Sequence, residues 1–180
     1  MSKQTRCLAC MSDMSDASVC PSCGWQMSSE MDNSLYLPTG YLLNNRYTVG
    51  KVIGVGGFGI VYIAWDTNLD IRVAVKEFLP KEYAARSANH VSIIPYTGNA
   101  RDDSAHDDFT LGVEKFLEEA KALARFQEHP GIVTVHESFR TNNTAYILIS
   151  RRNYNDALPG SWMSKALRIS RCALVTSVRI

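Results

Sequence analysis

A run of six residues, Gly54-Val55-Gly56-Gly57-Phe58-Gly59, constrains this chain more than any other feature, because the stretch after it reads as a strand and not as a helix. Glycines at this spacing let backbone N–H groups close around phosphate oxygens, since no Cβ blocks the approach. In a dinucleotide-binding fold such a run must open directly into a helix. Here the next residues are Ile60-Val61-Tyr62-Ile63-Ala64-Trp65, β-branched and aromatic, which predict a strand. A Walker-type phosphate loop is excluded as well, because no Gly-Lys is followed by Ser or Thr. The glycines therefore join two strands, RYTVGKVIG from Arg46 and IVYIAWD from Ile60.

A third strand, IRVAVKEF from Ile71, follows the polar turn Thr67 to Asp70 and extends an antiparallel meander that carries Lys76. Pro80 to Asp108 is mixed and polar, and is read as an elaborated loop. A helix is predicted from about Thr110 to Gln127, with Val113, Phe116, Leu117, Ala120, Leu123 and Ala124 on one face. Glu119 falls on the border of that face and Glu118 points away. His129-Pro130-Gly131 ends the helix, and IVTVHESF and TAYILIS, joined by the turn RTNN, form a hairpin. The expected class for 46–150 is α+β: a five-stranded antiparallel sheet with one helix.

Four of the five cysteines lie in the first 23 residues, as Cys7-x-x-Cys10, nine intervening residues, then Cys20-Pro-Ser-Cys23-Gly24-Trp25. Two such turns can hold four thiolates tetrahedrally around one zinc ion, with Gly24 permitting the tight turn and Trp25 covering the site. Four cysteines leave no open coordination position, so the expected metal is structural Zn2+; iron or a redox dithiol is the alternative. Residues 1–31 have too few apolar side chains for a core of their own, which fits a metal staple. Residues 32–45 (DNSLYLPTGYLLNN) read as a linker that docks a few apolar side chains. His90, His106, His129 and His136 are read as surface or capping residues, and Cys172 as incidental.

Hydrophobic residues make up 46% and charged residues 21%, which fits a globular chain. The longest apolar run, Ile60 to Trp65, is far below the roughly 20 residues needed to cross a bilayer, and the opening MSKQTRC does not resemble a secretory signal. The expected compartment is the cytoplasm, with no membrane segment in these residues. The net charge is +1, and only residues 151–180, with six bases and one acid, are basic. That local excess does not argue for nucleic acid, and the ribbon segment is slightly acidic.

Glycine loop, strand lysine in Val73-Ala74-Val75-Lys76 and helix glutamate arrive in the order of the protein-kinase signature. Residues 46–150 thus resemble the N-terminal lobe of a bacterial serine/threonine protein kinase. His129-Pro130-Gly131-Ile132-Val133 and Thr144-Ala145-Tyr146 agree with that reading. The resemblance implies ATP binding through Gly54, Val55, Gly56, Gly57, Phe58 and Gly59, with Val61 and Ala74 lining the adenine pocket. It makes Lys76 the phosphate-binding lysine, Glu119 its partner and Ile149 the gatekeeper. Residues 1–31 resemble the short zinc ribbons at the N-termini of many bacterial proteins, a familiar arrangement ahead of a kinase domain.

The resemblance stops near residue 150. The second lobe of a kinase supplies a catalytic Asp, a metal-binding Asn and the Asp of D-F-G. Within these residues no histidine precedes Arg-Asp, and Asp108-Phe109 continues with Thr110. The stretch 151–180 is read as out-of-frame or unrelated sequence, the C-terminal lobe as missing from a truncated kinase, and Mg2+ as expected only with an intact second lobe. The expected function is the ATP-binding portion of a serine/threonine kinase, catalytically incomplete by itself. The alternatives are a non-catalytic interaction or regulatory module, with a protein substrate or partner kinase as ligand, or a nonfunctional product.

Overall fold

The computed structural model describes residues 5–14, 17–26, 34–96, 104–125 and 134–150. The sequence-based expectations for His129 to Val133, Cys172 and the stretch 151–180 lie outside these residues.

Strands β1 (Leu42–Leu43), β2 (Tyr47–Gly56), β3 (Gly59–Asp66), β4 (Ile71–Phe78), β7 (Thr134–Thr141) and β8 (Thr144–Ser150) form one antiparallel sheet in the order β1-β2-β3-β4-β8-β7. β5 (Ala84–Arg86) and β6 (Ile93–Pro95) pair separately, and α1 (Ser104–Arg125) is the helix. The five long strands are those the sequence predicts. β1 is an addition of two residues, too short to announce itself in a polar stretch.

Alternation along β4 sorts the two faces of the sheet. Lys76 and Phe78 point toward α1; Val75 and Glu77 point the other way. Phe78 is the anchor for the helix, its ring lying 5.6 Å from Phe109 and 5.3 Å from Phe116. Phe109, Val113, Phe116 and Ala120 form the buried stripe of α1, each 5% exposed or less. Gly112 is required at this crossing, because a Cβ there would meet Phe78 Cζ at 2.6 Å.

On the opposite face, Glu77 sits among polar side chains with no access to water. Its carboxylate accepts from Tyr62 Oη at 2.8 Å, from Tyr146 Oη at 2.7 Å and from the Arg86 guanidinium. Arg86 also donates to the Leu35 carbonyl and the Val91 carbonyl, each at 2.9 Å. One fully buried ion pair thus ties β3, β4 and β8 to the β5–β6 hairpin. Burial pushes the Tyr62 and Tyr146 phenols well above their usual range, with the Glu77 charge acting in the same direction.

Four expectations are corrected. The stretch 80–108 is not a loop throughout: it contains β5, β6 and the first turn of α1. Three-residue strands are too short for periodicity to reveal, yet Ala84 and Ile93 are buried in the main core. The helix starts at Ser104 and not near Thr110, because its opening residues are mostly polar and lack the apolar repeat. Ala124, expected on the inner face, is exposed. The RTNN turn narrows to Asn142-Asn143, both with positive φ (53° and 60°), as a two-residue hairpin between twisted strands requires.

Candidate nucleotide site and cysteine centre

The β2–β3 turn is tighter than the glycine run suggests: β2 continues through Gly56, β3 begins at Gly59, and only Gly57 and Phe58 lie between. Gly56 and Gly57 have open space where a Cβ would stand, whereas a Cβ on Gly59 would meet the Glu77 carbonyl oxygen at 2.0 Å. Gly59 is thus fixed by packing on β4, while Gly56 and Gly57 leave the tip of the turn open. Val55 and Phe58 are exposed at the tip.

Register then aligns the remaining side chains. Gly54 pairs with Val61, Val61 with Lys76, and Lys76 with Ile147, so one row crosses β2, β3, β4 and β8. The next row on the same face is Ile63, Ala74 and Ile149. Val61, Ala74 and Lys76 therefore share a face, beside Ile149.

Lys76 Nζ lies 3.2 Å from Glu119 Oε1 and 3.4 Å from Oε2, and 5.1 Å from the centre of the Phe116 ring. The two side chains are 10% and 8% exposed. The helix carries Glu119 to this point because Phe116 and Ala120, one turn apart, are held in the core. A lysine so placed offers a fixed positive charge in the row that runs through Val61 to Gly54, and both carboxylate oxygens restrain it.

Sequence reasoning missed the Glu77–Arg86 pair behind the site. The available signal was Glu77 itself: an acid inside the apolar strand IRVAVKEF, one residue from Lys76 and hence on the other face. A charge in that position needs a buried partner.

The cysteine segment folds as two matching turns. In the first, the Met11 N–H donates to the Cys7 carbonyl at 2.7 Å; in the second, the Gly24 N–H donates to the Cys20 carbonyl at 2.8 Å. The four sulfurs lie within 4.8 Å of one another. Cys7 and Cys23 are 3.7 Å apart at Sγ, as are Cys10 and Cys20. A disulfide would bring sulfurs to roughly 2.05 Å, whereas tetrahedral zinc with Zn–S of about 2.3 Å requires S···S of about 3.8 Å. The spacing therefore fits a four-cysteine zinc site and not cystine. Burial pushes the Cys7 thiol up to about 12. Burial acts the same way on Cys20, but the Ser22 and Cys23 N–H groups and neighbouring thiols outweigh it and bring that thiol down to about 7.

The fold is that of a protein-kinase N-terminal lobe, a curled antiparallel sheet with one helix, and within it a strand lysine pairs with a helix glutamate. Relatives over this region include bacterial serine/threonine kinases and plant calcium-dependent protein kinases. The chain is 33% identical over 105 residues to "Probable serine/threonine-protein kinase PknB" of Bifidobacterium longum, covering 58% of this chain and 11% of that protein. It is 32% identical over 110 residues to a probable serine/threonine-protein kinase of Clostridium acetobutylicum, covering 61% and 13%. Among solved structures, "PpkA-294 apo form" superposes with a TM-score of 0.57 at 37% identity, covering 64% of this chain and 38% of that one. The chain spans 11% to 17% of the length of the curated relatives it matches. No family model matches it. Among the described residues, no helix is long and apolar enough to cross a membrane.

Proposed function

We propose that residues 46–150 form the ATP-binding lobe of a serine/threonine protein kinase, whose intact reaction moves the γ-phosphoryl group of ATP to a protein hydroxyl. The observation that carries this reading is the Lys76–Glu119 pair, set in the strand row that runs through Val61 to Gly54. Gly54 to Gly59 would close over the phosphates, Lys76 would neutralise them, and Glu119 would keep Lys76 from swinging away. Val61 and Ala74 would pack on adenine, with Ile149 limiting the depth of that pocket. Cys7, Cys10, Cys20 and Cys23 would hold one structural zinc ion, which supplies cohesion and no open position for chemistry.

Magnesium binding and orientation of the substrate hydroxyl need acidic and amide side chains that these 180 residues do not carry in the family's motifs. By itself the chain would hold nucleotide and transfer phosphate many orders of magnitude below the family's rates. A second reading is that the lobe acts as a regulatory module for a complete kinase. Two measurements on the full chain separate these outcomes. Binding of a fluorescent ATP analogue should weaken at least about tenfold in Lys76→Ala, the order expected for loss of a charge-assisted contact. Lys76-dependent transfer of labelled phosphate to a protein would show instead that the chain is a working enzyme, and no analogue binding at all would overturn the ATP-binding reading.

A further inference from the structure

The two cysteine turns have the same backbone plan and different surroundings. The residue after the second ligand takes the left-handed conformation in each: Met11 at φ 60° and Gly24 at φ 73°. Glycine adopts that conformation freely, while a methionine does so against its Cβ. Gly24 is exposed, and Met11 is completely buried. The unfavourable choice at Met11 therefore accompanies a side chain with a place to go.

That place is strand β2. A Cβ on Gly50 would meet Met11 Cε at 2.3 Å, the Leu8 carbonyl oxygen at 2.4 Å and Ile63 Cγ2 at 2.8 Å. Gly50 is thus the socket, and Met11 and Leu8 of the first turn fill it. The Lys51 N–H donates to the Leu8 carbonyl at 2.8 Å. Here β2 slips against β3 twice, between Val49 and Val52 and again between Val52 and Gly54. β1 pairs only with Tyr47 and Thr48, so the outer edge of β2 needs other partners beyond that point. The Tyr41 carbonyl takes the Val49 N–H and Leu8 takes the next, at Lys51. Around this contact the Arg6 guanidinium stacks 3.6 Å from the Trp65 ring centre and pairs with Asp70 at 3.3 Å.

We propose that the first cysteine turn is a brace on β2, with Met11 as its pin, so that filling the four-cysteine site fixes the strand leading into the glycine turn. Lys51 lies three residues before Gly54, and Ile63 is on the same face as Val61, two residues along. Metal loading would then raise nucleotide affinity without any ligand contacting the ribbon. This last step rests on the nucleotide-binding reading; the brace itself does not.

Amide hydrogen exchange on the full chain, resolved at Lys51, tests the brace. Zinc-loaded protein should protect that amide, and stripping the metal should speed its exchange at least about tenfold while the β4 amides keep their protection. Met11→Gly separates pin from metal: it should retain one zinc per chain yet exchange at Lys51 as fast as stripped protein. Fluorescent ATP analogue binding should weaken severalfold in both. Unchanged Lys51 protection in stripped protein, or in Met11→Gly, would overturn the brace. Loaded protein that protects Lys51 but binds no analogue would support the brace and contradict the nucleotide reading instead.

Discussion

The cysteine ribbon and the kinase-like lobe meet the same need, a fixed backbone, by opposite means. In the ribbon the buried cluster is Cys7, Ala9, Cys10, Met14 and Cys20, mostly cysteines with little apolar surface. In the lobe and the segment docked on it, a cluster of 25 buried hydrophobic residues among those described encloses a fully buried Glu77–Arg86 pair. With zinc held as proposed, the ribbon is as stable as its metal, and the lobe as its packing. Side chains are most easily fixed where packing is already dense, which is where Lys76 and Glu119 stand.

The sharpest way to break that contrast is to remove the metal. A strong chelator should abolish the ordered environment of Trp25, read by its fluorescence, while far-ultraviolet circular dichroism of the sheet and helix persists. A single cooperative loss of both would show that the lobe has no stability of its own.

Next in size is the buried pair. Glu77→Leu should destabilise the lobe by about 3–5 kcal/mol in urea unfolding, because it strands the Arg86 charge. Replacing both, Glu77→Leu with Arg86→Met, should recover much of that loss, and zinc content should not change in either. Equal damage from the single and double variants would mean that hydrogen bonds from Tyr62 and Tyr146, and not the isolated charge, decide the cost.

The glycine turn sharpens the comparison further. Gly59→Ala should cost the lobe about 1–3 kcal/mol through its collision with the Glu77 carbonyl, the range for overpacking. Gly57→Ala meets nothing and should be close to neutral for stability. Thermal midpoints of the two variants decide this.

The smallest effect expected is in acid. Burial raises the Asp66 carboxyl, but the Arg46 guanidinium, bonded at 2.7 and 2.9 Å, and the N–H groups of Asn68 and Leu69 more than reverse it. A carboxyl held below its unfolded value stabilises the fold fully above roughly pH 4, and that contribution fades as pH falls through the folded value. The stability gap between the natural chain and Asp66→Asn should therefore be widest near neutrality and narrow below about pH 4. A gap independent of pH would remove the charge from the explanation.

What could be read from the sequence came from side chains that act through local order. The glycine run ahead of a β-branched stretch, the alternation in IRVAVKEF and the helical repeat Val113, Phe116, Ala120 placed Lys76 and Glu119 on facing elements without coordinates. The paired Cys-x-x-Cys spacing likewise announced four sulfurs around one point. What stayed hidden depends on contacts far apart in the chain. Arg86 meets Glu77 only because a three-residue strand folds back over the sheet, and Met11 meets Gly50 across 39 positions. Neither leaves a periodic trace.

If Lys76 and Glu119 act as one unit toward a nucleotide, removing either should undo the same contact. Calorimetric titration of ATP into the natural chain, Lys76→Ala, Glu119→Ala and the double variant tests this most directly. The expected result is one site per chain, weaker binding in each single variant, and a double variant little worse than Lys76→Ala, because the glutamate works only through the lysine. Binding that is unaffected by Lys76→Ala, or losses that add in full, would contradict it.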